Sequence, residues 1–250
     1  MAKIAATALG VLAFYVGLTY LPILLSGAGA GHVVAAGAPP LAFVVLVVAL
    51  EMTLFHKKLT RALSDIGLSR FSSGGMHTAA AYLAPLVVFF PMVSLIAGAP
   101  TTLTPDWGSR LATIVLNNGL AEEVMMRGFL FRHLREKHSF WRAASASTAY
   151  FAAYHLPLIV TEGAVIGILG IVVAIPLGFL TALIFERGNG SIWGPAVTHT
   201  VTNGVAMLFV LPAGIQPAVS ALYLLVATTV STAIVLRARR SRVSPKLEAA

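Results

Sequence analysis

The sequence predicts an all-α fold, a polytopic transmembrane bundle of about eight helices forming a single integral membrane domain across 1–250. Three observations lead there. The chain is 58% hydrophobic and only 10% charged, with a mean hydropathy of +0.87, whereas a soluble domain carries about 25% charged residues. Apolar runs near the ~20 residues that a bilayer requires recur along its length. The basic residues gather in alternate connections between those runs, as the positive-inside rule expects.

The first run, Ile4 to Leu25, follows Lys3 and is longer than a signal-peptide core, so it reads as a retained span. The glycine-rich stretch at 26–31 and Gly37-Ala38-Pro39-Pro40 predict a flexible outer loop. A second span is expected at 38–56, with the lone Glu51 near its inner end reading as an interfacial residue. The segment 63–77 holds Asp65-Ile66-Gly67-Leu68 and Phe71-Ser72-Ser73-Gly74-Gly75, and reads as an interfacial turn. Six further spans follow at 79–99, 108–133, 140–160, 163–185, 191–211 and 216–236. Pro85, Pro91, Pro157, Pro176, Pro195 and Pro212 mark expected interruptions. Such breaks survive in membranes where neighbouring groups satisfy the freed carbonyls. Pro157 is expected to end regular helix two residues after His155.

Threading these spans from a cytoplasmic start places fifteen of the 17 Lys and Arg residues on the cytoplasmic side, along with both termini. The exceptions are Arg110 and Arg127, at the start and in the middle of the fourth span. The pI of about 10.2 therefore reflects topology, and no nucleic-acid partner is expected. The absence of cysteine excludes disulfides, thiolate metal sites and a cysteine nucleophile. No serine sits in a recognisable nucleophile setting, and there is no glycine-rich phosphate loop or nucleotide fingerprint.

Against this apolar background, the adjacent carboxylates Glu122 and Glu123 stand out in the fourth span. A carboxylate at bilayer depth is costly unless it meets partners or water. His155 lies in the fifth span, and His199 in the seventh with Asn203 on the same face at i,i+4. The same spacing lets Glu123 reach Arg127, a pair that on its own reads as structural. Asn117 and Asn118 read as interhelical hydrogen bonders. By helical rise, Glu122 lies about 15 Å from Arg132, His155 about 20 Å from Arg142, and His199 and Asn203 about 12 and 18 Å from Ser191. Groups on three helices thus converge at one level. Chemically the set suits water activation. A carboxylate in low dielectric makes a competent general base, a histidine can orient the water or shuttle its proton, and a second His with an Asn amide can donate to a developing oxyanion.

Glu-Glu-x-x-x-Arg at 122–127, Phe-x-x-x-His at 151–155 and His-x-x-x-Asn at 199–203, in this order on separate spans, resemble the three motifs of the CPBP family. That family comprises type II CAAX prenyl endopeptidases and bacterial proteins related to bacteriocin processing and self-immunity. The flanking Arg127-Gly128-Phe129-Leu130 and Ser191-Ile192-Trp193-Gly194-Pro195 agree, and the family-like catalytic core is expected at about 108–211. Met125 and Met126 stand where aromatic residues are common. The resemblance implies an eight-helix intramembrane endopeptidase, with Glu122 and His155 activating water and His199 and Asn203 stabilising the oxyanion. Glu123 and Arg127 would form a supporting pair.

Two alternatives from other classes are a proton-coupled membrane transporter and a non-catalytic immunity or scaffold membrane protein. Against the transporter, no inverted repeat with paired broken helices is evident. No cofactor is firmly expected. Glu122, His155 and His199 form a His₂Glu set of the kind that binds catalytic zinc, so zinc stands beside a metal-independent glutamate mechanism. The expected partners are the lipid bilayer and a membrane-anchored peptide or protein substrate. A compact chain without large loops points to a bacterial plasma membrane, where prenylated substrates are not expected.

Overall fold

A computed structural model describes residues 33–98 and 101–241. The expected first span and the glycine-rich stretch after it lie outside the described residues. Among the described residues there are nine helices and one short strand pair. They are α1 (Val33–Leu54), α2 (Leu59–Asp65), α3 (Ser73–Ala97), β1 (Thr102–Leu103), the site helix α4, α5 (Phe140–Tyr154), α6 (Leu158–Thr161), α7 (Ala164–Arg187), α8 (Trp193–Leu208), β2 (Phe209–Val210) and α9 (Gln216–Arg240). Helix α4 begins as Trp107–Ile114, runs through two π-helical stretches, Val115–Glu122 and Val124–Phe131, and ends as Arg132–Arg135. The molecule is an all-α bundle, and its long apolar helices make it an integral membrane protein.

Among the described residues, Ser73–Ala97, Ala164–Arg187 and Gln216–Arg240 are each long and apolar enough to cross a bilayer. Pro40–Leu54 with Leu59–Asp65 forms a fourth candidate, bent by 117°. Two of the site-bearing helices, α5 with 15 residues and α8 with 16, are shorter than a full span. Gly37-Ala38-Pro39-Pro40 lies within α1 rather than in a loop. Pro85, Pro91 and Pro176 sit inside continuous helices, so they do not interrupt their spans. Helix α5 stops at Tyr154, and Pro157 precedes the single turn of α6.

Helix α7 is central, packing on α3, α5, α6, α8 and α9, while α8 lies against α3 and the first π-helical stretch of α4. At one end the turn 66–72 docks on the turn 188–193. Gly67, at φ +86°, allows this, because a Cβ there would lie 2.8 Å from the Ile192 nitrogen. The Ile192 amide donates to the Gly67 carbonyl, and the Trp193 indole N–H to that of Leu68 at 3.1 Å. At the other end Thr102 and Leu103 pair antiparallel with Val210 and Phe209.

Glu51 is enclosed by the protein rather than exposed at its surface. It is fully buried, and its carboxylate accepts from Lys57 Nζ at 2.9 Å, from His133 Nε2 at 2.8 Å and from Arg132. Lys57 also reaches Asp65 at 2.7 Å, and Phe55 stacks on His133 at 4.1 Å. The sharp elbow between α1 and α2 is thereby bound to the far end of α4. Replacing Glu51 by Gln strips the charge from a site facing several cationic or polar partners, and losing one member of a buried ion network costs about 3 kcal/mol. The variant should melt well below the parent protein in detergent, as read by intrinsic fluorescence, and an unchanged melting temperature would contradict this account of the elbow.

Candidate active site

The first π-helical stretch of α4 carries Asn117-Asn118-Gly119 and ends at Glu122. Runs of π-helix are rare and frequently occur at functional sites. An α-helix turns about 100° per residue; a wider π turn rotates each residue less, so neighbouring side chains stay nearer one face. Glu122 and Glu123 use this to approach the same imidazole. Glu123 Oε1 lies 2.9 Å from His199 Nδ1, and Glu122 Oε2 lies 3.9 Å from His199 Nε2. Gly119 permits the close approach of α4 and α8 behind them, because a Cβ there would sit 3.1 Å from the Ala196 carbonyl and strike the Thr200 hydroxyl.

Glu123 faces two partners. Its second oxygen lies 3.2 Å from Arg127 Nε, with both side chains fully buried. Arg127 Nη2 donates to the Gly178 carbonyl at 3.2 Å, and its guanidinium lies over the Phe151 ring at 4.8 Å. A carboxylate only accepts, so the His199 Nδ1 in this contact is the donor and Nε2 is left facing Glu122. Glu122 Oε1 accepts from Asn118 Nδ2 at 2.8 Å, whereas the buried Oε2 makes no hydrogen bond among the described residues.

His155 caps the end of α5, half-buried, with Nδ1 donating to the Phe151 carbonyl at 2.8 Å. The Phe151 ring meets His155 edge-on at 4.8 Å and His199 edge-on at 5.4 Å. Asn203 lies one turn beyond His199 on α8, half-buried. Thr202, beside it, is held by Tyr82 at 3.1 Å and by the Tyr223 hydroxyl, which donates to the Thr202 carbonyl at 2.8 Å. The structure therefore joins Glu122, Glu123, Arg127 and His199 in one contact set. It places His155 and Asn203 at the margins, out of hydrogen-bonding contact with Glu122.

Asn118 and Phe151 are the residues that the spacing argument undervalued. Asn118 bonds within its own helix rather than between helices. Phe151 was legible only as part of a motif, because an aromatic on an apolar helix carries no signal of what it covers. The His₂Glu set is not drawn together in this structure: among the described residues no three His, Asp or Glu side chains gather closely enough to hold a metal ion.

Residues 104–205 match a family model described as Rce1-like, type II CAAX prenyl endopeptidase. No curated protein and no solved structure matches the chain. The Rce1-like segment covers less than half of the chain but holds all six candidate site residues, from Glu122 to Asn203. It supports a membrane protease acting on membrane-associated peptides.

Arg127→Ala should lower the melting temperature substantially, because Glu123 would keep a buried charge with only His199 to face it. The loss should exceed that of a surface Arg→Ala control such as Arg110→Ala, whose pair with Asp106 is exposed and worth at most about 1 kcal/mol. Equal melting temperatures for the two variants would show that the buried pair is not supporting the site.

Proposed function

We propose that the chain is an intramembrane endopeptidase that hydrolyses a peptide bond of a membrane-anchored substrate with water activated by Glu122. The observation that carries this reading is the free, buried Glu122 Oε2, set 3.9 Å from His199 Nε2. That separation is too long for a direct hydrogen bond, and one oxygen atom placed between them can bond to both. Glu122 Oε2 takes the proton of the attacking water as its oxygen adds to the scissile carbonyl, then returns the proton to the departing amine.

His155 shares the activation of that water. With Nδ1 donating to the Phe151 carbonyl, the neutral ring keeps Nε2 as its acceptor. Its distance from Glu122 is bridged by substrate and water, since catalytic contacts tighten in the complex. His199 and Asn203 stabilise the oxyanion. An imidazolium at His199 would offset the net negative charge of Glu122, Glu123 and Arg127, and would give Nε2 a proton to donate. Preorganised donors of this kind are each worth about 10²–10³ in rate. Glu123 and Arg127 hold His199 and α4 in place.

Purified protein in detergent should cleave members of a library of membrane-anchored peptides. Glu122→Gln should lose about 10²–10⁴ of that activity, as removal of a general base does, while melting like the parent. A fully active Glu122→Gln enzyme would end the assignment.

In this reading the site opens to the cytoplasmic side, where the basic connections 57–70 and 132–142 also attract anionic headgroups or an acidic substrate flank. The chain has no native cysteine, so single-cysteine labelling is clean. Cysteines at the exposed positions Lys137, Ser139 and Asn189 should react with impermeant thiol reagents in inside-out vesicles only, and one at Asp106 in right-side-out vesicles only. The reverse pattern would refute the orientation.

A further inference from the structure

Glu122 presents two oxygens, and the structure treats them differently. Oε1 is taken up by Asn118, whose Nδ2 donates to it at 2.8 Å from one turn earlier in the same helix. Oε2 is left toward His199. Carboxylates rotate easily about their last side-chain torsion, so nothing within Glu122 itself selects which oxygen faces the reacting atoms. A charge-assisted hydrogen bond to one oxygen does. We infer that Asn118 is a positioning residue for the reaction, fixing the Glu122 carboxylate so that Oε2 alone faces the scissile bond. This inference rests on the reading of Glu122 as the general base.

Two features support it. Asn118 precedes Gly119, the point where α4 packs backbone-close on α8, so the residue that orients Glu122 is set in the turn that fixes Glu122 relative to His199. The residue type also suits the task. An aspartate here would repel Glu122 at i,i+4, and a hydrophobic residue would leave Oε1 without a donor. An amide supplies the donor with no added charge, in surroundings where a single hydrogen bond is strong.

The test compares Asn118→Leu and Asn118→Gln with the parent protein in proteoliposomes, using a quenched-fluorescence membrane-anchored peptide that the parent cleaves. Losing one hydrogen bond to a charged group should lower kcat about 10- to 100-fold in Asn118→Leu. Because Asn118 touches no substrate, KM should stay within about threefold of the parent value. Asn118→Gln, which keeps the amide, should recover most of the rate. An unchanged kcat in Asn118→Leu, or a loss that follows melting temperature and is not recovered by Asn118→Gln, would overturn the assignment. If Asn118→Leu does not fold, Asn118→Ala takes its place, removing the donor without adding a charge. An infrared measurement keeps the two readings apart. The carboxylate band that disappears in Glu122→Gln should shift in Asn118→Leu, and an unmoved band would overturn the positioning role. Should the parent cleave no anchored peptide, the endopeptidase reading falls, and the infrared band alone then decides whether Asn118 holds Glu122.

Discussion

The contact between Glu123 and His199 is the joint on which the site depends. It ties α4 to α8, and through Arg127 it extends to the Gly178 carbonyl on α7 and the Phe151 ring on α5. Four helices thus meet around one buried carboxylate. Burying such a charge is costly unless its partners and geometry are good, and here the two oxygens of Glu123 serve two different cationic or proton-donating groups. The arrangement fixes His199 through Nδ1, so the only part of the ring left for chemistry is Nε2. Orientation of the His199 imidazole and cohesion of the bundle are therefore one interaction.

The π-helical register makes that joint compatible with a second carboxylate. In a plain α-helix, adjacent glutamates point about 100° apart, and one of them would be turned from His199 toward a neighbouring helix. The wider turn lets Glu122 and Glu123 flank the same ring, one near Nε2 and the other on Nδ1. Gly119 contributes from the other direction by removing the side chain that would hold α8 away. Glycine and two asparagines are poor helix formers, so the local sequence resists the regular α-helix at the place where function needs something else.

Hydropathy and spacing made the helices and the principal polar residues legible, because an ionisable group inside an apolar run has few explanations. The depth argument brought Glu122 and His199 to one level, and they meet. It could not foresee that His155 and His199 both meet the Phe151 ring, since helical rise reports height and is blind to azimuth. The ion network around Glu51 escaped notice for a related reason. The partners Arg132 and His133 are distant in sequence, and only the fold of the α1–α2 elbow brings them together. The pairing of Thr102–Leu103 with Phe209–Val210 left no trace in the sequence, because two residues are too short to show a strand's alternation.

That small strand pair has a topological meaning. β1 lies just ahead of the Rce1-like segment and β2 just after it, so the pairing brings together the places where the chain enters and leaves that segment. Segments whose ends adjoin can be inserted into, or retained within, different surroundings without rerouting their interior. The matched part of the chain is in this sense a closed loop set between the helices that flank it. Its flanking helices still bear on its interior, through Tyr82 and Tyr223 at Thr202 and through Glu51 at the far end of α4.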